Sequence, residues 1–200
     1  GKNGDYKQFT ENGLDYKNLW NPEQRLFIPK DEKGNWIDID PKSAGGKGYR
    51  EYYDENNGWT YAWDVQQDFP GLIQLLGGKK AAEERLDQLF REPLGMKKNE
   101  FYINGSNSTG MVGQFSMGNE PSFHIPYLYN YFGAPWKTQK QTRFLLDVWY
   151  KDNIFGIPGD EDGGGMTAFV VFTSMGLYPV TPGLPFYTIT SPVFDETAIK

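Results

Sequence analysis

The side chains best suited to acid–base chemistry lie in three stretches far apart in this 200-residue chain. The most crowded, "GIPGDEDGGGM", sets Asp160, Glu161 and Asp162 against three consecutive glycines just ahead of an apolar run. Like charges on neighbouring residues repel, and glycines cost backbone entropy to order. An ordered version of this loop therefore requires a helix N-terminus, a cation or catalytic work to offset both. Alternate residues of an extended loop point to one side, so Asp160 and Asp162 are expected to share a cleft while Glu161 faces elsewhere. That geometry suits a general base beside a hard cation, or a base and a sugar-holding partner. An EF-hand does not fit, because its fifth and twelfth ligands, counted from Asp160, would be Gly164 and Val171. A phosphate-cradling loop fits no better, since the acids repel an anion and no lysine follows the glycines.

The second stretch, "YREYYDENNGWTYAW", places Asp54 and Glu55 among Tyr52, Tyr53, Trp59, Tyr61 and Trp63. A carboxyl among aromatic rings loses hydration, which favours its protonated form, as a general acid at neutral pH requires. The bland alternative is a solvated loop acid beside structural tryptophans. In the third, "MGNEPSFHIPY", Asn119 and Glu120 precede Pro121 at an expected helix start, where an N-terminal cap would explain both. His124, the single histidine, fits a hydrogen-bonded helix residue better than a catalyst, and no nucleophile–base arrangement forms around it. Two carboxylates distant in sequence on one aromatic cleft meet the needs of glycoside hydrolysis, one protonating the leaving oxygen and one activating water. A non-catalytic sugar-binding module fits the same inventory.

Composition narrows the classes. A net charge of −6 with scattered lysines and arginines argues against nucleic-acid or anionic-membrane partners. No apolar run approaches the roughly 18 residues of a membrane span. Without cysteine there is no disulfide, thiolate nucleophile or zinc–thiolate site. Aromatics at 16% of residues, many beside polar ones, suit sugar stacking as well as an aromatic-rich core, with Trp59 and Trp63 as substrate contacts nearest the second acidic stretch.

The elements that must position these side chains are mainly helical. The opening third reads as loop-rich, with a hairpin of Leu26–Ile28 and Trp36–Ile37 turning at Lys33-Gly34. Asp68 caps a helix with Pro70 in its first turn and Gly77 past its end, and a second runs from Lys79 to Phe90. A third spans "EPSFHIPYLYNYFG" with a kink at Pro126 and Gly133 as terminator. A fourth starts at Pro135 with Trp136, Phe144, Leu145, Val148 and Trp149 on its apolar face. The last, Met166 to Met175, is apolar nearly all round and is expected to be buried on several sides. "LPFYTITSP" reads as one strand. Antiparallel helix pairs with a site in their loops suggest a helical toroid. Five helices cannot close such a ring, so the chain, which has no initiator Met, reads as a segment of a larger one, its last three hairpins.

The stretches "YDENNGWTYAWDVQQDFPGLIQLLGG", "GQFSMGNEPSFHIPYLYNYFGAPWKTQ" and "GIPGDEDGGGMTAFVVFTSMGLYPVTPGLPFYTITSP" together resemble the C-terminal half of glycoside hydrolase family 92, the calcium-dependent exo-acting α-mannosidases. The resemblance runs from about Tyr16 to the end. It implies a mainly α fold, part of an (α/α)6 toroid with a few short β hairpins. Residues 1–200 would be a fragment of that catalytic domain, with an N-terminal β-sandwich and the first part of the toroid outside it. It further implies inverting hydrolysis of terminal α-1,2-, 1,3- or 1,4-linked mannose on N-glycans or mannan, in a periplasmic, cell-surface or secreted setting. On that basis Glu55 is the general acid and Asp162 the base, assisted by Asp160, with carboxyls about 6.5–9.5 Å apart. Asn119 and Glu120 contact sugar and, with Asp160, the calcium ion. The remainder of the polypeptide would complete the cleft, and the fragment alone is expected to be inactive. Met117 and Phe123 stand where the family pattern has histidines, which bears on linkage preference if they line the leaving-group subsite. The rival readings are a degenerate mannose-binding homologue and a toroid glycosidase for another sugar. The sequons at Asn104 and Asn107 matter only in a eukaryotic secretory route.

Overall fold

A computed structural model describes residues 2–42, 52–95, 97, 99, 109–159 and 161–199. The sequons at Asn104 and Asn107 lie outside the described residues, as does Asp160. Helices α1 (Lys2–Asn12), α2 (Gly58–Tyr61), α3 (Phe69–Leu75), α4 (Lys79–Leu89), α5 (Leu128–Phe132), α6 (Pro135–Trp149) and α7 (Gly165–Met175) carry the fold. Two-residue strands pair antiparallel as β1 (Trp20–Asn21) with β2 (Leu26–Phe27), β3 (Met111–Val112) with β4 (Phe115–Ser116), and β5 (Leu177–Tyr178) with β6 (Thr188–Ile189). The chain is thus mainly α with short hairpins.

Local sequence explains α3 and α4. The Asp68 carboxylate accepts from the Gly71 amide at 2.9 Å, and Pro70 costs nothing in a first turn whose amides have no helical partner. Asp68 also accepts from the Tyr16 hydroxyl at 2.8 Å and pairs with Lys17 at 3.2 Å, tying the N-terminal segment to this cap. Helix α4 buries Ala82, Leu86 and Leu89, one face at helical spacing. They join a core with Trp63, Leu72, Phe115, Tyr127, Leu128, Leu145 and Phe169.

Five expectations are corrected. The opening residues form a helix, α1, none of whose residues is buried, so it has no apolar stripe for periodicity to detect. Leu26–Phe27 pairs with the upstream Trp20–Asn21, because Asn21 Oδ1 accepts from the Glu23 and Gln24 amides and closes a tighter turn. Only a single bridge, Lys30 to Trp36, remains of the expected hairpin, and only Thr188–Ile189 of the expected last strand is paired. The third helix breaks into 3-10 turns at Glu120–Ser122 and Ile125–Tyr127 before α5, each with a proline in its first turn. The expected apolar face of α6 is largely outside. Trp136 is 59% exposed and Phe144 and Val148 are also exposed, while Thr138, Thr142 and Leu145 face inward. The threonines are accommodated because their hydroxyls donate to the carbonyls of Pro126 (3.0 Å) and Thr138 (2.9 Å).

Helix α7 also departs from burial on several sides: Met166, Phe169 and Thr173 are buried while Val171 is exposed. Its inner face meets an aromatic cluster in which Tyr127 stacks on Tyr178 at 4.3 Å and Tyr150 on Phe169 at 6.0 Å.

His124 is buried, with Nε2 2.8 Å from the Trp63 carbonyl and Nδ1 3.2 Å from Gln66 Nε2. A carbonyl only accepts, so Nε2 carries the proton and Nδ1 of the neutral ring accepts from the Gln66 side-chain amide. Burial depresses its pKa below 6.5, against smaller opposing effects of the Trp63 bond and Asp64. Below pH 6.5 the unfolded chain takes up a proton that the folded one refuses, so His124 lowers stability as pH falls through that value. The slope contributed is at most about 1.4 kcal/mol per pH unit. Urea unfolding between pH 7.5 and 5.5 should show a shallower pH dependence for His124→Gln. An unchanged slope would show that the ring is not held neutral.

Candidate active site

The segment bearing Glu55 is fixed by amides. Asn57 caps α2, its Oδ1 accepting from the amides of Trp59 (3.0 Å) and Thr60 (3.1 Å), and its Nδ2 donates to Gln114 Oε1 at 2.7 Å. Gln114, fully buried, donates through Nε2 to the Pro93 carbonyl at 2.7 Å, and its own carbonyl accepts from the Thr60 hydroxyl at 3.1 Å. The next link runs to the second acidic stretch. Asn56 Oδ1 accepts from the Asn57 backbone N–H at 2.9 Å, which can only donate. Asn56 Nδ2 therefore donates to Asn119 Oδ1 (3.1 Å), and Asn119 Nδ2 donates to Glu55 Oε2 (3.0 Å). One backbone N–H thus dictates both amide orientations and turns the Asn119 amino group toward Glu55 Oε2. The Tyr61 hydroxyl accepts from the Glu55 amide at 3.0 Å, and burial pushes its pKa up.

A glycine contact brings the third stretch alongside. A Cβ on Gly159 would lie 2.5 Å from the Gly118 carbonyl oxygen, and one on Gly118 2.0 Å from Thr109 Oγ1 and 3.0 Å from the Pro158 carbonyl. The chain entering the acidic loop thus runs backbone to backbone against the residue preceding Asn119. Beyond the loop, a Cβ on Gly165 would sit 3.1 Å from Glu120 Cγ, so the positive end of α7 rests on the Glu120 side chain. Gly164, at the N-cap of α7, offers no side-chain acceptor. Glu161 Oε1 accepts instead from the Thr167 amide (3.2 Å) and hydroxyl (2.6 Å). Asp162 is exposed, with φ +36° and its carbonyl 3.3 Å from the Gly165 amide. Burial, then Tyr178 and the carboxylates of Glu161 and Glu120, raise the pKa of Tyr150 well above its usual range, which places these two acids near one phenol.

Glu55, Asn119 and Glu120 are therefore assembled from two distant stretches, and the loop bearing Asp162 abuts them. Two expected substrate contacts are corrected. Trp63, 2% exposed, packs on Phe132, and Trp59, 7% exposed, has the Arg85 guanidinium 3.8 Å from its ring centre. Neither indole offers a free face to a sugar. A cavity of about 330 Å³ lies between this segment and the β2 region, lined by Leu19, Phe27, Pro29, Tyr52, Asp54 and Tyr61 but not by Glu55 itself. A second cavity of about 360 Å³, lined by Tyr129, Trp136 and Phe144, shares no residue with the site. Met117 and Phe123 are buried, the latter 5.6 Å from Phe169, so they act as core and line no open subsite. Asn56 and Gln114 position the site without having been singled out, and Tyr61 was expected only as an aromatic neighbour. The "ENN" run beside an aromatic was the available signal.

For a hard cation the donor chemistry is right but incomplete. Glu120 offers carboxylate oxygens, while Asn119 Oδ1 already accepts from Asn56 and keeps one lone pair. Among the described residues no group of three or more His, Cys, Asp or Glu side chains is placed to hold a metal, and calcium takes about 6–8 oxygens.

Gly159→Ala should cost about 1–3 kcal/mol, because the atom it would meet at 2.5 Å is backbone and cannot swing aside. Denaturant unfolding of the variant checks this, and a neutral result would mean that the two segments do not pack this closely.

Comparison with known proteins bears on this assembly. The family model described as the glycosyl hydrolase family 92 catalytic domain matches residues 1–200. The structure is similar to that of the family GH92 alpha-mannosidase BT3965 from Bacteroides thetaiotaomicron in complex with mannoimidazole, at 33% identity and TM-score 0.83, over 96% of this chain and 25% of that one. The family GH92 inverting mannosidase BT2199 of the same species matches at 36% identity and TM-score 0.74, over 94% of this chain and 26% of that one. An uncharacterized secreted glycosidase of Arthroderma benhamiae is 29% identical over 220 residues, which is 100% of this chain and 26% of that protein. The chain spans about a quarter of the length of these relatives. Its mainly helical architecture with short hairpins is accordingly part of an α/α toroid. With its full length matched by the family model, the chain belongs to the glycosyl hydrolase family 92 catalytic domain family.

Proposed function

We propose that the protein is an exo-acting α-mannosidase that removes terminal α-linked mannose from N-glycans or mannan with inversion. The observation that carries this reading is the oriented carboxyl of Glu55. Its Oε2 is held by the Asn119 amide, and Oε1 remains to carry a proton to the glycosidic oxygen. In the proposed step Asp162, assisted by Asp160, takes a proton from water as the water oxygen bonds to the anomeric carbon. The bond to the leaving oxygen breaks as Glu55 delivers its proton. The names of the solved relatives, an alpha-mannosidase and an inverting mannosidase, support the sugar and the stereochemistry.

Asn119, Glu120 and Asp160 would hold a calcium ion, with further oxygens from water, substrate and the rest of the polypeptide. When bound, calcium supplies positive charge that grips the mannose 2- and 3-hydroxyls. An N-terminal β-sandwich and the first part of the toroid would complete the cleft. The proposed setting is periplasmic, cell-surface or secreted, in keeping with the fungal relative named as secreted. Among the described residues no helix is long and apolar enough to cross a membrane.

Two measurements on the full-length enzyme test the reading. Glu55→Gln should lose at least about a hundredfold in kcat on a mannobiose, the range of general-acid catalysis, and far less on a 2,4-dinitrophenyl mannoside whose leaving group needs no proton. An unchanged rate on the mannobiose would remove Glu55 from the role of acid. Proton NMR of the first-formed sugar from α-1,2-, α-1,3- and α-1,4-mannobiose should show β-mannose, released more slowly with a calcium chelator. Release of α-mannose would refute inversion, and insensitivity to the chelator would refute the calcium role.

A further inference from the structure

Glu161 stands between the two proposed catalytic aspartates, yet its carboxylate turns back to α7. One oxygen, Oε1, takes both the amide and the hydroxyl of Thr167, at 3.2 and 2.6 Å. Thr167 is the third residue of the helix, whose N-terminal amides otherwise lack partners, and the N-cap is Gly164, which has no side chain to meet them. Glu161 thus does from three residues upstream what a Ser, Thr or Asp at the N-cap would do.

The consequence falls on the residues inside the clasp. Asp162, Gly163 and Gly164 follow one another with φ of +36°, +67° and +89°. A left-handed value is uncommon for a residue with a side chain and costs of order 1–3 kcal/mol, and the adjacent glycines resist ordering. Within the loop the Asp162 carbonyl has one bond, a long one of 3.3 Å from the Gly165 amide. Threonine reinforces the far end, its hydroxyl also lying 3.3 Å from the Gly164 carbonyl. The clasp from residue 161 to 167 therefore restrains the chain across Asp162.

We propose that Glu161 is a positioning residue, its clasp on Thr167 holding the acidic loop so that Asp162 is presented to the attacking water. This role rests on the mannosidase reading above. It also explains why an acid sits between two others: its charge is spent on a helix terminus and a hydroxyl, not on substrate.

Breaking the clasp should impair the base while sparing the acid, and the leaving group separates the two. Glu161→Ala should lower kcat at least about tenfold on both a mannobiose and a 2,4-dinitrophenyl mannoside, with KM changed less, since misplacing a reacting group by an ångström costs that much or more. Glu161→Gln, whose amide oxygen can still accept from Thr167, should recover most of the loss. Thr167→Val should act in the same direction, and Glu161→Ala with Thr167→Val should be no worse than Glu161→Ala alone. Hydrogen exchange of the amides at 162–165 should accelerate in Glu161→Ala while α4 is unchanged. Full kcat in Glu161→Ala, a loss confined to the mannobiose, or unaltered exchange would each overturn the proposal. Absence of turnover by the unsubstituted full-length enzyme, with the remainder of the polypeptide in place, would instead overturn the hydrolase reading, and the positioning role with it.

Discussion

The site depends first on the side-chain amide of Asn119. Buried at 1% exposure, it joins Asn56 and Glu55 to a stretch more than sixty residues away, using its oxygen for one and its nitrogen for the other. A buried amide that loses one partner bears the desolvation of the other, about 1–3 kcal/mol, so the arrangement is close to all-or-none. Its direction is inherited from the Asn57 N–H through Asn56, and Asn57 is itself anchored to Gln114. Turning one amide over would set a carbonyl against Glu55 and an amino group against another amino group. The face that Asn119 presents to Glu55 is thereby determined by backbone geometry.

The acidic loop is joined to this frame by different means. No side chain intervenes where Gly159 meets Gly118, so the loop approaches as closely as two backbones allow. Such proximity brings Glu120, Glu161 and Asp162 into one neighbourhood, and their repulsion must be offset. The α7 N-terminus contributes the equivalent of about half a positive charge, delivered where Glu120 and Glu161 lie. The glycines after Asp162 let the chain turn into that helix without a Cβ between helix and carboxylate.

Much of this was legible in the sequence, for local reasons. The cap at Asp68, the run of α4 and the start of α6 at Pro135 follow from side chains acting on their own backbone. The acidic stretches were legible as charge among aromatics and glycines. What stayed hidden depended on partners remote in sequence. Thr138 and Thr142 look polar until the carbonyls that accept from them are in place, and Trp136 and Phe144 look like core until α6 is rotated by that packing. Trp59 and Trp63 look like sugar platforms until Arg85 and Phe132 cover them. Alternation in an extended loop left Glu161 facing away, whereas the left-handed turn at Asp162 to Gly164 sends its carboxylate back to Thr167.

The choice of neutral donors has an electrostatic consequence. Among the described residues Glu161 is met by a hydroxyl and an N–H, where lysine or arginine would have cancelled its charge. Among the described residues Arg85 lies over Trp59 and Lys42 is paired with Glu92. Neutral donors orient a carboxylate and leave most of its field intact, and a concave, partly desolvated setting strengthens that field. A neutral polyhydroxylated ring can donate hydroxyls into it, and a divalent cation gains from it directly, whereas a uronate or phosphate must enter against it. The same field would favour positive charge growing at an anomeric carbon, so neutral donors at the acidic loop suit the electrostatics that the proposed oxocarbenium-like transition state requires.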